Sequence, residues 1–227
     1  AEDKIIFVEL PFVPILEALQ ENLKTVEKYV VLCEVDEMPE TNLKNAISYE
    51  EYIQDGDENY SWPTLEDDAA CALCYTSGTT GNPKGVLYSH KSNVIHAQAA
   101  LTAMTIKPDD TILMVVPLFH VLAWGIPYFG PMNGLKLVMP GMQMEGEPLF
   151  ELIDQEDVTL AFGVPTIWMG LLAYCRDNNK ILSSVKNTII GGSALSLATL
   201  QEFDEVHDVN VIHAWGMTEM SPLGTTN

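Results

Sequence analysis

The chain has 227 residues, 47% hydrophobic and 8% aromatic, enough for one large domain or two small ones around a buried core. Against 32 acidic residues it sets 11 basic ones, for a formal net charge of −21, and Arg176 is its single arginine. That balance excludes the basic footprint that a nucleic-acid backbone or an anionic membrane surface requires.

In chain order, an apolar strand (KIIFVEL), an amphipathic helix over about 13–23 and a second apolar strand (KYVVLC) read as a βαβ unit, the mark of a parallel sheet. Residues 34–68 follow as an acidic, turn-rich connection with aromatic spots at Tyr49, Tyr52, Tyr60 and Trp62 and no long element. Most of the acid sits before the next apolar run: residues 1–68 hold 18 acidic and 4 basic residues, consistent with a solvated surface. A connection of that length marks a boundary, so the chain divides into an acidic βαβ segment with its connection (1–68) and a core (69–227).

Beyond the boundary, apolar runs alternate with helical patterns. Strands are predicted at 70–75, 85–88, 111–116, 134–138, 158–162, 187–190 and 209–213, and helices at 91–104, 147–155, 165–176 and 196–206. Pro165 suits the first turn of the helix TIWMGLLAYC. The pattern is α/β, with layered, mostly parallel sheets and flanking helices, and ligands in such folds gather at the carboxyl ends of the strands.

Two features exclude further classes. The stretch 111–135 has no charged side chain and is long enough to span a bilayer, yet three prolines, three glycines, His120 and Asn133 break it into strand, loop and short helix. It reads as buried core. Of the four cysteines, Cys71 and Cys74 form a lone CxxC with no second pair or histidines at zinc spacing, and Cys33 and Cys175 are isolated. Buried thiols and an acidic start without a secretory signal point to a cytoplasmic location.

YTSGTTGNPKG (75–85) directly follows the strand ACALCY. Gly78, Gly81 and Gly85 permit close backbone approach, while Thr76, Ser77, Thr79, Thr80 and Lys84 place five donors within nine residues. The two readings are a plain strand–strand turn and a phosphate grip, and the donor density favours the grip. Net acidity does not forbid an anionic ligand, since exposed charges are screened beyond about 8–10 Å and local donors then decide affinity. The loop is neither a GK[ST] P-loop nor GxGxxG, and the chain holds no GxSxG elbow.

With its ordered companions PLFH (117–120), GGSAL (191–195) and WGMTE (215–219), the loop resembles the signature of the adenylate-forming family. That family includes acyl-CoA synthetases, luciferases and the adenylation domains of peptide synthetases. AWGMTEMSPLGT together with GVPTIW is most similar to the medium- and long-chain fatty-acid CoA ligases. The resemblance implies part of that family's large N-terminal domain. It also implies activation of a carboxylic acid by ATP to an acyl-adenylate, then transfer to coenzyme A, with Mg²⁺ at the phosphates. Two alternatives stay open: a different acyl acceptor, and a non-catalytic nucleotide- or acyl-binding module.

Roles carried over by the resemblance are as follows. Thr76, Ser77, Gly78, Thr79, Thr80, Gly81 and Lys84 would cradle the β- and γ-phosphates, and Glu219 would hold the metal. Gly192, Ser193 and Ala194 would line the adenine site with Trp215 against the base, where the family more often has tyrosine. Gly216, Met217 and Thr218 would continue the nucleotide site, Thr218 near the α-phosphate. His120 would position the carboxylate, and Trp124, Val164 and Trp168 would wall the acyl pocket, although core packing explains the last three almost as well. Lys84, His120 and Glu219 are the expected catalytic residues, whereas His90, His96, His207 and His213 read as structural.

The family's later aspartate, hinge and arginine motifs, its mobile C-terminal domain and the start of its large domain are not found in these residues. An internal piece of a longer enzyme is therefore expected, inactive in isolation, with exposed surface that would favour a homo-oligomer.

Overall fold

Residues 2–78 and 81–227 are described by a computed structural model, so Thr79 and Thr80 of the glycine loop lie outside the described residues. The chain divides into two units, Ala1–Thr64 and Leu65–Asn227. The second begins a few residues before 69 because Lys91 and His90 donate backbone hydrogen bonds to the carbonyls of Asp67 and Ala69, at 3.0 Å each.

In the first unit, β1 (Ile5–Val8), β2 (Lys28–Val31) and β3 (Ala46–Ser48) pair in parallel in that order. Between the first two runs α1 (Val13–Leu19), with Pro14 in its first turn, extended by a 3-10 turn over Gln20–Asn22. The acidic connection contributes β3 and a short α2 (Tyr49–Ile53), capped by Ser48, whose Oγ accepts the Glu51 N–H at 3.2 Å. Elements of three and five residues leave little periodic signal, which is why the sequence pattern did not reveal them. Val8, Val13, Tyr29, Val31, Cys33 and Leu43 form this unit's core.

The second unit opens with an antiparallel hairpin, β4 (Ala70–Thr76) and β5 (Lys84–Ser89), in which Thr76 faces Lys84 across the glycine loop. Its main sheet comprises β6 (Thr111–Met114), β7 (Lys136–Val138), β8 (Leu160–Gly163), β9 (Asn187–Ile190), β10 (Asn210–Gly216) and β11 (Leu223–Thr226). The strand order is β11-β10-β9-β8-β6-β7, parallel throughout except for β11. From β6 the chain first adds β7 on one side and then returns to add β8 on the other, which creates a topological switch point between β6 and β8.

Both faces of this sheet are covered, and the strand residues alternate between two cores. Leu113, Val115, Ala161 and Ile190 pack with α5 (Gly146–Gln155), α6 (Pro165–Asp177) and α7 (Leu197–His207) through Leu149, Ile153, Trp168, Leu171 and Phe203. Ile112, Met114, Leu160, Phe162 and Ile189 pack with α3 (His90–Ala103) and α4 (Ile126–Met132) through Ala97, Ala100, Ile126 and Phe129. Two-sided burial explains the charge-free stretch 111–135: β6 is central, and α4 lies against the sheet. Among the described residues no helix is long and apolar enough to cross a membrane.

Local chemistry sets where the helices begin. Ser89 and Ser92 cap α3 reciprocally, with N–H to Oγ distances of 3.0 and 3.2 Å, and Ser196 caps α7 by accepting the Thr199 N–H at 3.1 Å. Pro165 stands at the start of α6, where its missing N–H costs nothing.

Candidate functional site

The segments singled out in the sequence leave the carboxyl ends of adjacent strands. PLFH follows β6, Val164 follows β8, Gly191–Ala194 follow β9, and Trp215–Glu219 end β10 and enter a 3-10 turn over Thr218–Met220. A cavity of about 210 Å³ opens between them. Of the predicted site residues, His120, Trp124, Gly192, Trp215, Gly216, Met217 and Thr218 line it. His96, Met104, Val121, Gly191, Ala214, Pro222 and Leu223 complete the wall.

After His120 the backbone makes a left-handed turn. Val121, Leu122, Ala123 and Trp124 have φ of 43°, 46°, 46° and 56°, and Gly125 follows at 85°. Each non-glycine residue in that region costs about 1–2 kcal/mol, so the turn persists only because its surroundings over-determine it. Within it Val121, Ala123 and Gly125 are buried, as is Ile126 directly after it. The turn delivers the Trp124 ring to the backbone of the β9 loop, where a Cβ on Gly191 would stand 3.2 Å from the indole Cη2. A side chain at Gly191 would therefore press on the indole, and one at Gly192 would meet Val164 Cγ1 at 3.2 Å.

The hairpin is tied to the same region by one hydrogen bond across the fold. Tyr88, buried on β5, donates its hydroxyl to the Thr218 carbonyl at 2.5 Å. Burial pushes the Tyr88 phenol well above its ordinary range, with smaller contributions from Cys74 and Glu219, so it stays a protonated donor. Within the hairpin, Thr76 Oγ1 donates to the Lys84 carbonyl at 3.5 Å, while Gly78 and Gly81 take φ of 62° and 104°. Ser77, Gly78, Gly81 and Lys84 are exposed. The described part of the loop is thus a hairpin connection in which the Thr76 hydroxyl is engaged while Ser77 and Lys84 are exposed.

Other predicted residues fall elsewhere. Trp168 is 1% exposed in the core, edge-on to Phe203 at a centroid distance of 6.5 Å, and does not line the cavity. Ser193 and Ala194 are exposed beyond β9, and His213 Nε2 donates to the Ser193 carbonyl at 3.3 Å, fixing that loop to β10. Val164 and Glu219 are also outside the cavity wall. No group of three or more His, Cys, Asp or Glu side chains among the described residues is arranged to hold a metal. The single exposed Glu219 carboxylate fits the habit of Mg²⁺, which keeps several waters and binds through one or two carboxylates plus substrate phosphates.

His96, read as structural from the sequence, lines the cavity, as do Met104, Val121, Pro222 and Leu223. A signal for His96 was present. Asn93, His96, Ala97 and Ala100 are the buried stripe of α3, at i, i+3, i+4 and i+7, and a histidine on such a stripe faces the interior. Burial holds its imidazole below the ordinary range, in the neutral form.

Comparison with known proteins follows the same lines. The family model of AMP-binding enzymes matches residues 1–227. A 3-methylmercaptopropionyl-CoA ligase of Ruegeria pomeroyi is 47% identical over 100% of this chain and 42% of its own length. A medium-chain-fatty-acid–CoA ligase of Ectopseudomonas oleovorans is 45% identical over the same shares. The chain therefore spans 42% of the length of these curated relatives. Among solved structures, a long-chain-fatty-acid-CoA ligase from Archaeoglobus fulgidus superposes with a TM-score of 0.84 at 24% identity, over 100% of this chain and 45% of that one. The α/β architecture described above is that of the N-terminal domain of adenylate-forming enzymes.

Proposed function

This chain belongs to the family of AMP-binding enzymes, and we propose that it supplies the nucleotide- and acyl-binding core of an ATP-dependent acyl-CoA ligase. The observation that carries the reading is the meeting of the PLFH, GGSAL and WGMTE segments at one end of the sheet, beside a cavity at the carboxyl edge. The names of the two close relatives support a short- or medium-chain carboxylic acid as substrate and coenzyme A as acceptor.

The reaction begins with a carboxylate oxygen attacking the α-phosphorus of ATP. An oxygen–phosphorus bond forms, the bond to the β-phosphate breaks, and pyrophosphate leaves. In the second half, the coenzyme A sulfur attacks the acyl carbon and AMP departs. The obstacle in the first half is an anion approaching an anion, so catalysis rests on positioning and on charge placed in advance.

The exposed donors Ser77 and Lys84, with the half-buried Thr76 and with Thr79 and Thr80, would take the β- and γ-phosphates. Lys84 heads β5, opposite Thr76, and would hold its charge against the leaving pyrophosphate. Thr218, held through its carbonyl by Tyr88, would contact the α-phosphate region. Trp215, 54% exposed, would offer its face to the base, with Gly192, Ser193, Ala194, Gly216 and Met217 around it. Glu219 would hold Mg²⁺, which when bound neutralises phosphate charge. His120 would orient the carboxylate at the mouth of the cavity, with Trp124 forming one wall.

The test is pyrophosphate–ATP exchange by the full-length protein over a panel of carboxylic acids, with coenzyme A thioester formation scored in parallel. Lys84→Ala and Glu219→Ala are each expected to lower exchange by about 10²–10³-fold, the usual loss for one preorganised charge. Undiminished exchange in both variants refutes the assignment.

A further inference from the structure

A second cavity lies at the other end of the main sheet. Helices α6 and α7 start at the carboxyl ends of β8 and β9 and run back along them, so their last turns stand at the amino edge of the strands. Between those turns and the loop after α6 opens a space of about 420 Å³. Small-molecule sites commonly measure about 300–1,000 Å³.

Arg176, the single arginine of the chain, lines this space with Asn179, Lys180 and Glu202, while Cys175, Ile181 and Val206 add apolar surface. Arg176 meets the Glu202 carboxylate through one Nη2 contact of 3.6 Å and its side chain is 60% exposed, so most of the guanidinium fork is unused. Lys180 holds its ammonium over the Phe150 ring, with Nζ 5.5 Å from the centroid.

Basic groups at a helix end would be accounted for by the carbonyl dipoles alone. The imidazole of His207 would not. It is 4% exposed and lines the same cavity, and its Nδ1 accepts the Leu182 N–H at 3.3 Å. An accepting Nδ1 is unprotonated, so the neutral ring carries its proton on Nε2. Burial favours that neutral form, although Glu202 opposes it. Among the described residues Nε2 has no hydrogen-bond partner, and unlike His96 Nε2 it is not sealed from solvent. A deeply set N–H donor thus shares a cavity with two cations.

We propose that this cavity is a second binding site, for a small monocarboxylate that is held by Arg176 and Lys180, accepts the His207 N–H and lays a short apolar chain on Ile181 and Val206. The site is separate from the one at the carboxyl edge and independent of the activity proposed there. Its charge selects a monoanion. Arg176 and Lys180 against Glu202 leave one net positive charge, and the Cys175 thiol, pushed up to about 11 by burial and by Glu202, stays neutral. A phosphate dianion would exceed that charge and be repelled by Glu202. A planar carboxylate also matches the guanidinium fork.

The experiment uses the full-length protein with its histidines labelled with carbon-13 at Cε1, and the His207 resonance is the one missing from His207→Gln. Titration with butanoate is expected to move that resonance to saturation, whereas butanol leaves it in place. Acetate is expected to bind about 4- to 15-fold more weakly, since each buried methylene is worth up to about fourfold. Arg176→Met, at an exposed position, is expected to weaken butanoate by about 10- to 100-fold, the range for a lost charge-assisted bond. The proposal is overturned if butanoate leaves the His207 resonance in place, as it would when bound only at the carboxyl edge. It is overturned equally if Arg176→Met binds butanoate as tightly as wild type, if acetate matches butanoate, or if inorganic phosphate binds more tightly than either. Should His207→Gln fail to fold by circular dichroism, Val206→Ala, at the exposed neighbouring position, identifies the resonance by displacing it, and the same outcomes decide.

Discussion

Replacing Tyr88 by phenylalanine removes one oxygen and nothing else from a side chain 1% exposed in the second unit. That oxygen makes the 2.5 Å hydrogen bond to the Thr218 carbonyl, joining residues 130 positions apart in the chain. The ring stays packed, so the cost is the desolvated carbonyl left without a donor, about 1–3 kcal/mol. For a unit of this size each kcal/mol moves the melting temperature by about 2–4 °C, so Tm is expected to fall by about 2–12 °C. The effect on chemistry is separate. Thr218 and its neighbour Glu219 lose their tether to the hairpin that carries the glycine loop, and misplacement of about 1 Å at a reacting centre can cost up to about 10²-fold in rate. Differential scanning calorimetry measures the first quantity, and pyrophosphate exchange at saturating ATP measures the second. Tyr88→Leu serves as a control, because it loses the ring as well and is expected to fall further in Tm. The reasoning is refuted if Tyr88→Phe matches wild type in both measurements.

Gly125→Ala is expected to destabilise by about 1–3 kcal/mol, since the new Cβ would stand 2.5 Å from His96 Nδ1 on a backbone with φ of 85°. Combining it with His96→Ala is expected to recover part of that loss, and strict additivity in the double-mutant cycle argues against the contact. Stability is also expected to depend on pH through the buried histidines. Burial lowers the pKa of His96, and it lowers that of His207 although Glu202 opposes the shift. With folded values below the ordinary 6.5, the unfolded chain binds more protons. The stability is present above that value and is lost as pH falls from about 6.5 towards the folded values. His207 Nδ1 accepts the Leu182 N–H at 3.3 Å and must be unprotonated to do so. Chemical denaturation between pH 8 and 5 is expected to show this decline, with a shallower slope in His207→Gln. An equal slope in that variant contradicts the role given to His207.

Much of the fold was legible because its signals are local. Serine caps at 89 and 196, Pro165 at the start of α6, and apolar runs of strand length each act within a few residues, and the long helices and parallel strands appear close to where those signals stand. The short β3 and α2 escaped because elements of three to five residues complete barely one period. The site divides in the same way. The donors of the glycine loop and the order of the four motifs are properties of the chain read in a line. Trp124 and Trp168, by contrast, are both tryptophans near apolar runs, and nothing local says that one lines the cavity while the other lies edge-on to Phe203 in the core.

By itself, then, the sequence determined the class of architecture and the family, and it named the side chains proposed to hold phosphate, base and metal. Tertiary structure decided three things that no local signal carries. The glycine loop closes an antiparallel hairpin, because β4 finds its partner in β5 and not in the main sheet. Segments up to about a hundred residues apart meet at one end of the sheet, because strand order β10-β9-β8-β6 sets their loops side by side. His96 lines the cavity with an unpaired nitrogen, because α3 lies against the left-handed turn and Gly125 leaves room for the ring. The physical reason is common to all three. Hydrogen-bond capping and backbone preference act between near neighbours, whereas burial and close approach are settled only when distant parts of the chain pack together.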